Sequence, residues 1–124
     1  MSENITIKPT REIMSTRRLS ETFQMRVQNA NWQEFKYTVT VSFYEADKLR
    51  LGEVFINAEK INTDIDVAAR DIAILLSFCL QHGVDVRPTQ HSLVRDVDGR
   101  PLGLLGTLLD TIYPEAKESD PNVI

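Results

Sequence analysis

Apolar and polar residues alternate in three stretches of the chain, which is the pattern of strands with one buried face. The first stretch, "SETFQMRVQ", places Phe23, Met25 and Val27 on one face. An asparagine-rich cluster follows at residues 29–31, and asparagine tolerates the backbone conformations of turns. We therefore predict a strand over residues 20–28 that ends in a turn.

A second alternating stretch, "FKYTVTVSFY" at residues 35–44, predicts a longer strand. Its inward positions are apolar: Phe35, Tyr37, Val39, Val41 and Phe43. The opposite face carries Lys36, Thr38, Thr40 and Ser42, and these polar side chains predict a surface that meets water. Residues 45–48 are polar and predict the next turn.

The third stretch, residues 49–58, carries an apolar residue on the polar face. Strict alternation places Phe55 beside the polar residues of the second strand, away from core candidates such as Val54 and Ile56. Either the protein itself covers Phe55, through the N-terminal arm or a helix, or a partner covers it. The candidate interaction surface consists of Phe55, Lys36, Thr38 and Thr40.

The longest helix is predicted to begin at Thr63 or Asp64 and to end at His82. Either of the first two residues can cap the free amides of the first turn, and Gly83 suits the left-handed residue that follows a helix. Apolar residues form one broad stripe at helical spacing: Ile65, Ala68, Ala69, Ile72, Leu75, Leu76, Cys79 and Leu80, widened by Ile74 and Phe78. A helix this apolar is expected at the centre of the fold, against the sheet and other helices.

Two shorter helices are predicted beyond the long one, over residues 86–95 and 102–113. Asp98 and Gly99 lie between them and are typical of a tight connection. Pro114 should end the last helix, because proline cannot continue the hydrogen-bond pattern.

The predicted fold class is α+β, with a three-stranded antiparallel meander packed on one face by a long central helix and two shorter helices. Residues 17–113 are expected to form a single domain, since a chain of 124 residues has room for one modest core. The polar ends at residues 1–16 and 114–124 are predicted to be a flexible N-terminal arm and a flexible C-terminal tail.

The charge of the chain disfavours one class of partner. A net charge of −4 argues against a surface that binds phosphate groups, because such surfaces normally carry a basic excess. Four basic residues do lie in or beside the arm: Lys8, Arg11, Arg17 and Arg18. They leave weak nucleic-acid binding as an alternative, although nucleic acid is not the favoured partner.

Several features favour a cytoplasmic protein without a membrane anchor. The first twenty residues contain no continuous apolar segment of the kind that a signal peptide requires. The longest apolar run, residues 72–80, is about half of the roughly 20 residues that a membrane span needs. A single cysteine forms no internal disulfide, as expected in a reducing compartment.

Few residues carry recognisable chemistry, so we expect neither a catalytic site nor a metal or cofactor. Cys79 and His82 lie one helical turn apart, but zinc usually takes four ligands and this segment offers two. We interpret Cys79 as part of the core and His82 as a helix cap. His91, Ser92 and Asp96 have neither triad spacing nor a nucleophile-elbow motif.

The chain resembles the TSCPD domain family in four segments: "RRLSETF" at 17–23, "GEVFINAEK" at 52–60, "ARDIAILLSFCLQHGV" at 69–84 and "HSLVRDVDGRPLGLLGTLLD" at 91–110. TSCPD domains occur near the C-terminus of cobalamin-dependent ribonucleotide reductases and as small standalone bacterial proteins. The similarity spans residues 17–113, although the chain has no Thr-Ser-Cys-Pro-Asp motif.

The resemblance implies a noncatalytic relative rather than an enzyme. Ribonucleotide reduction, as the related enzymes perform it, requires a cysteine that forms a thiyl radical and a pair that supplies electrons, whereas this chain has Cys79 alone. We expect a protein-binding or assembly module that contacts another protein or itself. The alternative is an accessory or regulatory component of a ribonucleotide reductase that binds nucleotide or the catalytic subunit.

Overall fold

A computed structural model describes residues 10–48 and 50–117 of the chain. Three strands form one antiparallel sheet in the order β1-β2-β3: β1 (Ser20–Gln28), β2 (Glu34–Phe43) and β3 (Leu51–Ala58). In the first turn the Asn29 carboxamide oxygen accepts hydrogen bonds from the N–H groups of Asn31 at 2.9 Å and Gln33 at 3.0 Å. The α+β class and the antiparallel meander are confirmed.

The core lies on one face of the sheet, where alternation along the strands places the apolar side chains. The buried apolar residues of that face are Met25, Val27, Tyr37, Val39, Val41, Leu51, Val54 and Ile56. They form one cluster with buried residues of two helices: Ala69, Ala73, Leu76, Leu108 and Leu109. The core therefore contains residues of the sheet and of two helices.

Helix α1 (Asp64–Gln81) begins and ends where its capping residues predict. The Thr63 hydroxyl accepts a hydrogen bond from the N–H of Asp66 at 3.2 Å. At the other end Gly83 has a φ of 80°, a left-handed conformation that glycine adopts without steric cost. The predicted limits of the longest helix agree with the structure.

The predicted central position of α1 is not confirmed. The helix lies along the outer edge of β3, where its side chains bond the strand backbone, and it buries only a narrow stripe around Ala73. Other apolar residues of α1 stay exposed: Leu75 by 67%, Ile74 by 56% and Phe78 by 46%. A helix at a sheet edge contacts the core with one flank only. The apolar composition of α1 therefore predicts more buried residues than the structure has.

The first of the two shorter helices differs from its prediction. Residues 86–95 do not form an α-helix, and a 3₁₀ helix spans only Arg87–His91. Beyond it, the Asp96 carboxylate accepts hydrogen bonds from the backbone N–H groups of Asp98 and Arg100, both at 2.9 Å. This local side-chain bonding stabilises the predicted turn at residues 96–100.

The last helix is shorter than predicted, and helical structure resumes beyond it. Helix α2 (Leu104–Ile112) follows Gly103, and Pro114 begins a further short helix, α3 (Pro114–Lys117). Proline suits a first helical position, because its missing N–H would have no intrahelical partner there. In residues 10–48 and 50–117 no helix is long and apolar enough to cross a membrane.

Part of the predicted N-terminal arm contacts the fold through Glu12. Its N–H donates to the C=O of Gln81 at 2.9 Å, and its C=O accepts from the Tyr44 hydroxyl at 2.8 Å. The Glu12 carboxylate also pairs with the Arg50 guanidinium at 2.9 Å. The limits that we predict for the arm, the domain and the tail stay predictions.

Candidate protein-binding groove

Strand β3 forms one edge of the sheet, and its backbone groups alternate between β2 and the outside. The N–H of Glu59 donates to the C=O of Lys36 at 3.2 Å, which continues the ladder through the odd-numbered residues of β3. Four residues therefore point their N–H and C=O groups away from β2: Gly52, Val54, Ile56 and Ala58. An edge of this kind needs other partners for its polar groups.

Polar side chains of α1 supply partners for three of these four residues. The Ser77 hydroxyl accepts from the N–H of Val54 at 2.9 Å and donates to its C=O at 3.2 Å. The Gln81 carboxamide donates to the C=O of Gly52 at 2.9 Å. The Asp66 carboxylate accepts from the N–H of Ala58, also at 2.9 Å. Positions 66, 77 and 81 lie on one stripe because an α-helix turns every 3.6 residues.

Ile56 is the exception among the four edge residues. No described residue hydrogen-bonds its outward N–H or C=O. The residue is only 1% exposed, and buried backbone groups are almost always paired. Ala73, which lies near Ile56 on the helix side, offers only a methyl group. Ile56 therefore differs from the other three edge residues, because the described residues bond neither its N–H nor its C=O.

A groove of about 320 Å³ lies between β3 and α1 and is lined by Ile56. Its apolar walls come from Phe55, Ile74 and Phe78, which are each about half exposed. This volume falls at the lower end of the range of about 300–1,000 Å³ that is typical of ligand sites. Apolar walls beside unused backbone groups are the means by which proteins recognise extended peptides.

Two arginines line the groove, and they differ in what they contact. The Nε atom of Arg70 lies 3.2 Å from the Asp66 carboxylate. The guanidinium of Arg11 lies 5.3 Å from the centroid of the Phe78 ring, and no carboxylate of the described residues forms an ion pair with it. Glu53, also on the groove wall, pairs with another arginine at 3.7 Å. Arg11 is therefore the cation best placed for an acidic group of a ligand.

The Asp66 carboxylate holds α1, β3 and the loop between them together. It accepts hydrogen bonds from the N–H groups of Asn62 and Ala58, both at 2.9 Å. These two bonds, with a smaller contribution from Arg70, hold the pKa of Asp66 below its ordinary value of 3.8. A lowered pKa means that the charged carboxylate stabilises the fold above pH 3.8, and that this contribution is lost as the pH falls through the lowered pKa.

We expect Asp66→Asn to lower the free energy of unfolding at neutral pH, and the difference from wild type to shrink as the pH falls below 3.8. Urea unfolding at neutral pH and at several acidic pH values measures this difference. Asp71→Asn, which removes an exposed carboxylate from the same helix, is the control and should change stability little. A difference for Asp66→Asn that stays constant with pH would contradict the role of the carboxylate.

The structure places the predicted interaction surface on the face of the sheet opposite the core. Lys36, Thr38 and Thr40 point outward from β2, and Thr40 lies opposite Phe55 in the register of β2 and β3. Phe55 is 52% exposed, so the described residues leave half of it open to contact. Because Phe55 also lines the groove, the predicted surface and the groove are continuous at this residue. Binding through the surface stays a prediction.

The predicted basic arm does not present its arginines as one uniform patch. Arg11 lies over Phe78, Arg18 pairs with Glu53, and the exposed Arg17 donates its backbone N–H to the Ser15 hydroxyl at 3.2 Å. Lys8 lies outside the described residues. Nucleic-acid binding through the arm stays an untested alternative.

The candidate chemical residues take structural positions. Cys79 is partly buried and packs against the core, and the backbone N–H of His82 donates to the C=O of Phe78 at 3.1 Å at the end of α1. Asp96 belongs to the turn described above, where its hydrogen bonds hold its pKa below the ordinary value. Across residues 10–48 and 50–117, no three His, Cys, Asp or Glu side chains are grouped as they would be to hold a metal ion.

Reasoning from the sequence missed Ile74, Phe78 and the backbone of Ile56 as groove residues. The sequence pattern predicts the first two in the buried stripe of α1, because an apolar residue shows no preference between core and groove. One signal was available: Ser77 and Gln81 interrupt the apolar run four residues apart, and polar residues on the inner flank of a helix imply polar partners.

Comparison of the chain with protein-family models, with curated proteins and with solved structures finds no match. The resemblance to TSCPD domains therefore stays a prediction, and the groove has to be interpreted from its own geometry.

Proposed function

We propose that this chain is a noncatalytic protein-binding module, related to TSCPD domains, that holds an extended segment of another protein in the groove between β3 and α1. The unpaired N–H and C=O of Ile56 are the main support for this function. The C=O and N–H of one partner residue would pair with both, as in the addition of one strand residue to a sheet edge. That residue would reach them by entering between β3 and α1, because Ile56 is only 1% exposed in the free protein. The hydrogen bonds of Ser77 and Asp66 limit this pairing to a single residue.

The walls of the groove define the chemistry of the partner segment. Phe55, Ile74 and Phe78 suit an apolar side chain on the residue that pairs with Ile56. Arg11 suits an acidic residue nearby, because its guanidinium pairs with no carboxylate of the described residues. The proposed ligand is therefore an extended segment with an apolar anchor and a neighbouring carboxylate. If the resemblance to TSCPD domains holds, the catalytic subunit of a ribonucleotide reductase is a natural source of this segment.

A random peptide library displayed on phage tests the function without a known partner. We expect selection on the wild-type protein to enrich apolar residues flanked by acidic ones. Ile74→Glu places a carboxylate in the groove wall and should weaken binding of the enriched peptides at least tenfold, which is about 1.4 kcal/mol. Leu75→Glu is the matched control, because Leu75 is exposed on the same helix but does not line the groove.

Two results would contradict the proposal. One is the failure of the library to enrich any sequence on the wild-type protein. The other is equal binding of the enriched peptides by Ile74→Glu and Leu75→Glu. Phe55→Glu extends the test to the predicted sheet surface, since it should weaken binding if Phe55 forms a groove wall for the ligand.

A further inference from the structure

The opposite edge of the sheet, strand β1, is open along most of its length. The N–H of Phe43 donates to the C=O of Leu19 at 3.0 Å, so the odd-numbered residues of β1 face β2. Four exposed residues point their backbone groups outward: Ser20, Thr22, Gln24 and Arg26. Within the described part of the chain, nothing hydrogen-bonds these outward N–H and C=O groups.

The two edges of the sheet differ in whether a helix covers them. Helix α1 covers β3, whereas β1 keeps a regular register with β2 from Ser20 to Gln28 and contains no proline, lysine or bulge. These are among the devices by which proteins prevent strand pairing at an edge, and of the charged side chains that also serve this purpose β1 carries only Glu21 and Arg26. A regular edge without them is a surface on which another strand can add.

We propose that β1 pairs in antiparallel orientation with β1 of a second copy of this chain, about a twofold axis at Phe23. In this register Ser20 lies opposite Arg26 of the second copy, and Thr22 lies opposite Gln24. All four outward residues then gain backbone hydrogen bonds, and no two like charges face each other. The result is one continuous antiparallel sheet across both copies, with the same strand edge used twice.

Two features of the chain select this register over its neighbours. The C=O of Gln28 already accepts a hydrogen bond from Arg100 at 2.7 Å, so pairing centred on Gln24 would compete for an occupied carbonyl. Centring on Phe23 also brings the two Phe23 rings together on the core face, where each is only partly buried in the single chain. Aromatic pairs across strands stabilise a sheet beyond the area that they bury.

Sedimentation equilibrium with paired variants tests both the dimer and its register. The wild-type protein should sediment at twice the chain mass of 14.1 kDa. Thr22→Lys combined with Gln24→Lys sets ammonium groups opposite each other twice in the dimer, and should sediment at the mass of one chain. Thr22→Lys combined with Gln24→Glu sets opposite charges at the same places, and should restore the dimer. Both changed side chains, Thr22 and Gln24, are exposed, so folding should be kept, and circular dichroism checks this.

A wild-type protein that stays at the mass of one chain at every concentration would overturn the proposal. A dimer that persists in the double lysine variant would also overturn it. A monomeric variant with Thr22→Lys and Gln24→Glu would exclude this register, because opposite charges face each other there only in the proposed pairing. These variants leave the groove on the far edge unchanged, so failure of the dimer and failure of peptide binding are distinguishable.

Discussion

Replacing Asp110 by alanine is expected to lower the free energy of unfolding by about 3 kcal/mol, because it leaves a mostly buried arginine without its counter-charge. Both oxygens of Asp110 accept hydrogen bonds from Arg95, at 2.8 and 2.9 Å. The side chains are 9% and 15% exposed, and the pairing raises the pKa of Arg95 above its ordinary value. The same carboxylate accepts a hydrogen bond from the fully buried Gln90 at 2.9 Å. One substitution therefore disturbs the 3₁₀ helix, the turn and α2 together.

Asp85→Ala is the matched control for Asp110→Ala, since it removes an aspartate from an exposed ion pair. The side chains of Asp85 and Arg87 are 50% and 57% exposed, and such pairs contribute less than about 1 kcal/mol. Urea unfolding of the two variants measures the contrast. Equal losses of stability would show that burial does not strengthen the pair of Arg95 and Asp110.

The second large effect is expected for Gly52→Ser, which should cost about 1–3 kcal/mol by overpacking. A Cβ atom at this position would lie 2.6 Å from a ring carbon of Tyr44 and 2.8 Å from the terminal methyl of Met14. Tyr44 has little freedom to move, because its hydroxyl donates to the C=O of Glu12 and its ring lies under Arg50 at 4.6 Å. The variant should also loosen the contact of the N-terminal segment with the fold.

Gly103→Ser makes the same chemical change at a position where it should help. Gly103 precedes α2 with a φ of −130° and a ψ of 175°, and nothing lies within 4 Å of an added Cβ. A serine hydroxyl there can cap the first turn, which is worth a few tenths of a kcal/mol over glycine. Denaturant midpoints at constant m-value measure both variants. The two variants should change the free energy of unfolding in opposite directions. A loss of stability for Gly103→Ser equal to that for Gly52→Ser would contradict overpacking as the cause.

Local patterns predicted the elements that depend on local rules. The strands follow from the two-residue period of the pleat, which the sequence carries without knowledge of neighbours. The limits of α1 follow from Thr63 and Gly83, whose effects reach only one helical turn. Residues 86–95 form a 3₁₀ helix instead of the expected α-helix, and the Thr89 hydroxyl donates to the C=O of Val86, which an α-helix would use for its own hydrogen bond.

The groove could be predicted only in part, because it depends on how distant segments meet. The exception to alternation at Phe55 marked a residue on the face opposite the core, and its side chain is 52% exposed in the structure. Nothing in the sequence marks the N–H and C=O of Ile56 as unpaired. The order of the strands and the position of α1 decide which backbone groups lack partners. The same holds for the open edge of β1, which emerges only from the order β1-β2-β3.

Nuclear magnetic resonance of the isotope-labelled protein tests peptide binding at Ile56 most directly. The probe is a peptide enriched on the wild-type protein in the phage selection. On titration, the amide signal of Ile56 should shift and its hydrogen exchange should slow, while the amide of Trp32, in the turn between β1 and β2, should stay unchanged. A peptide that binds but leaves the Ile56 amide unshifted and its exchange rate unaltered would contradict the proposed function.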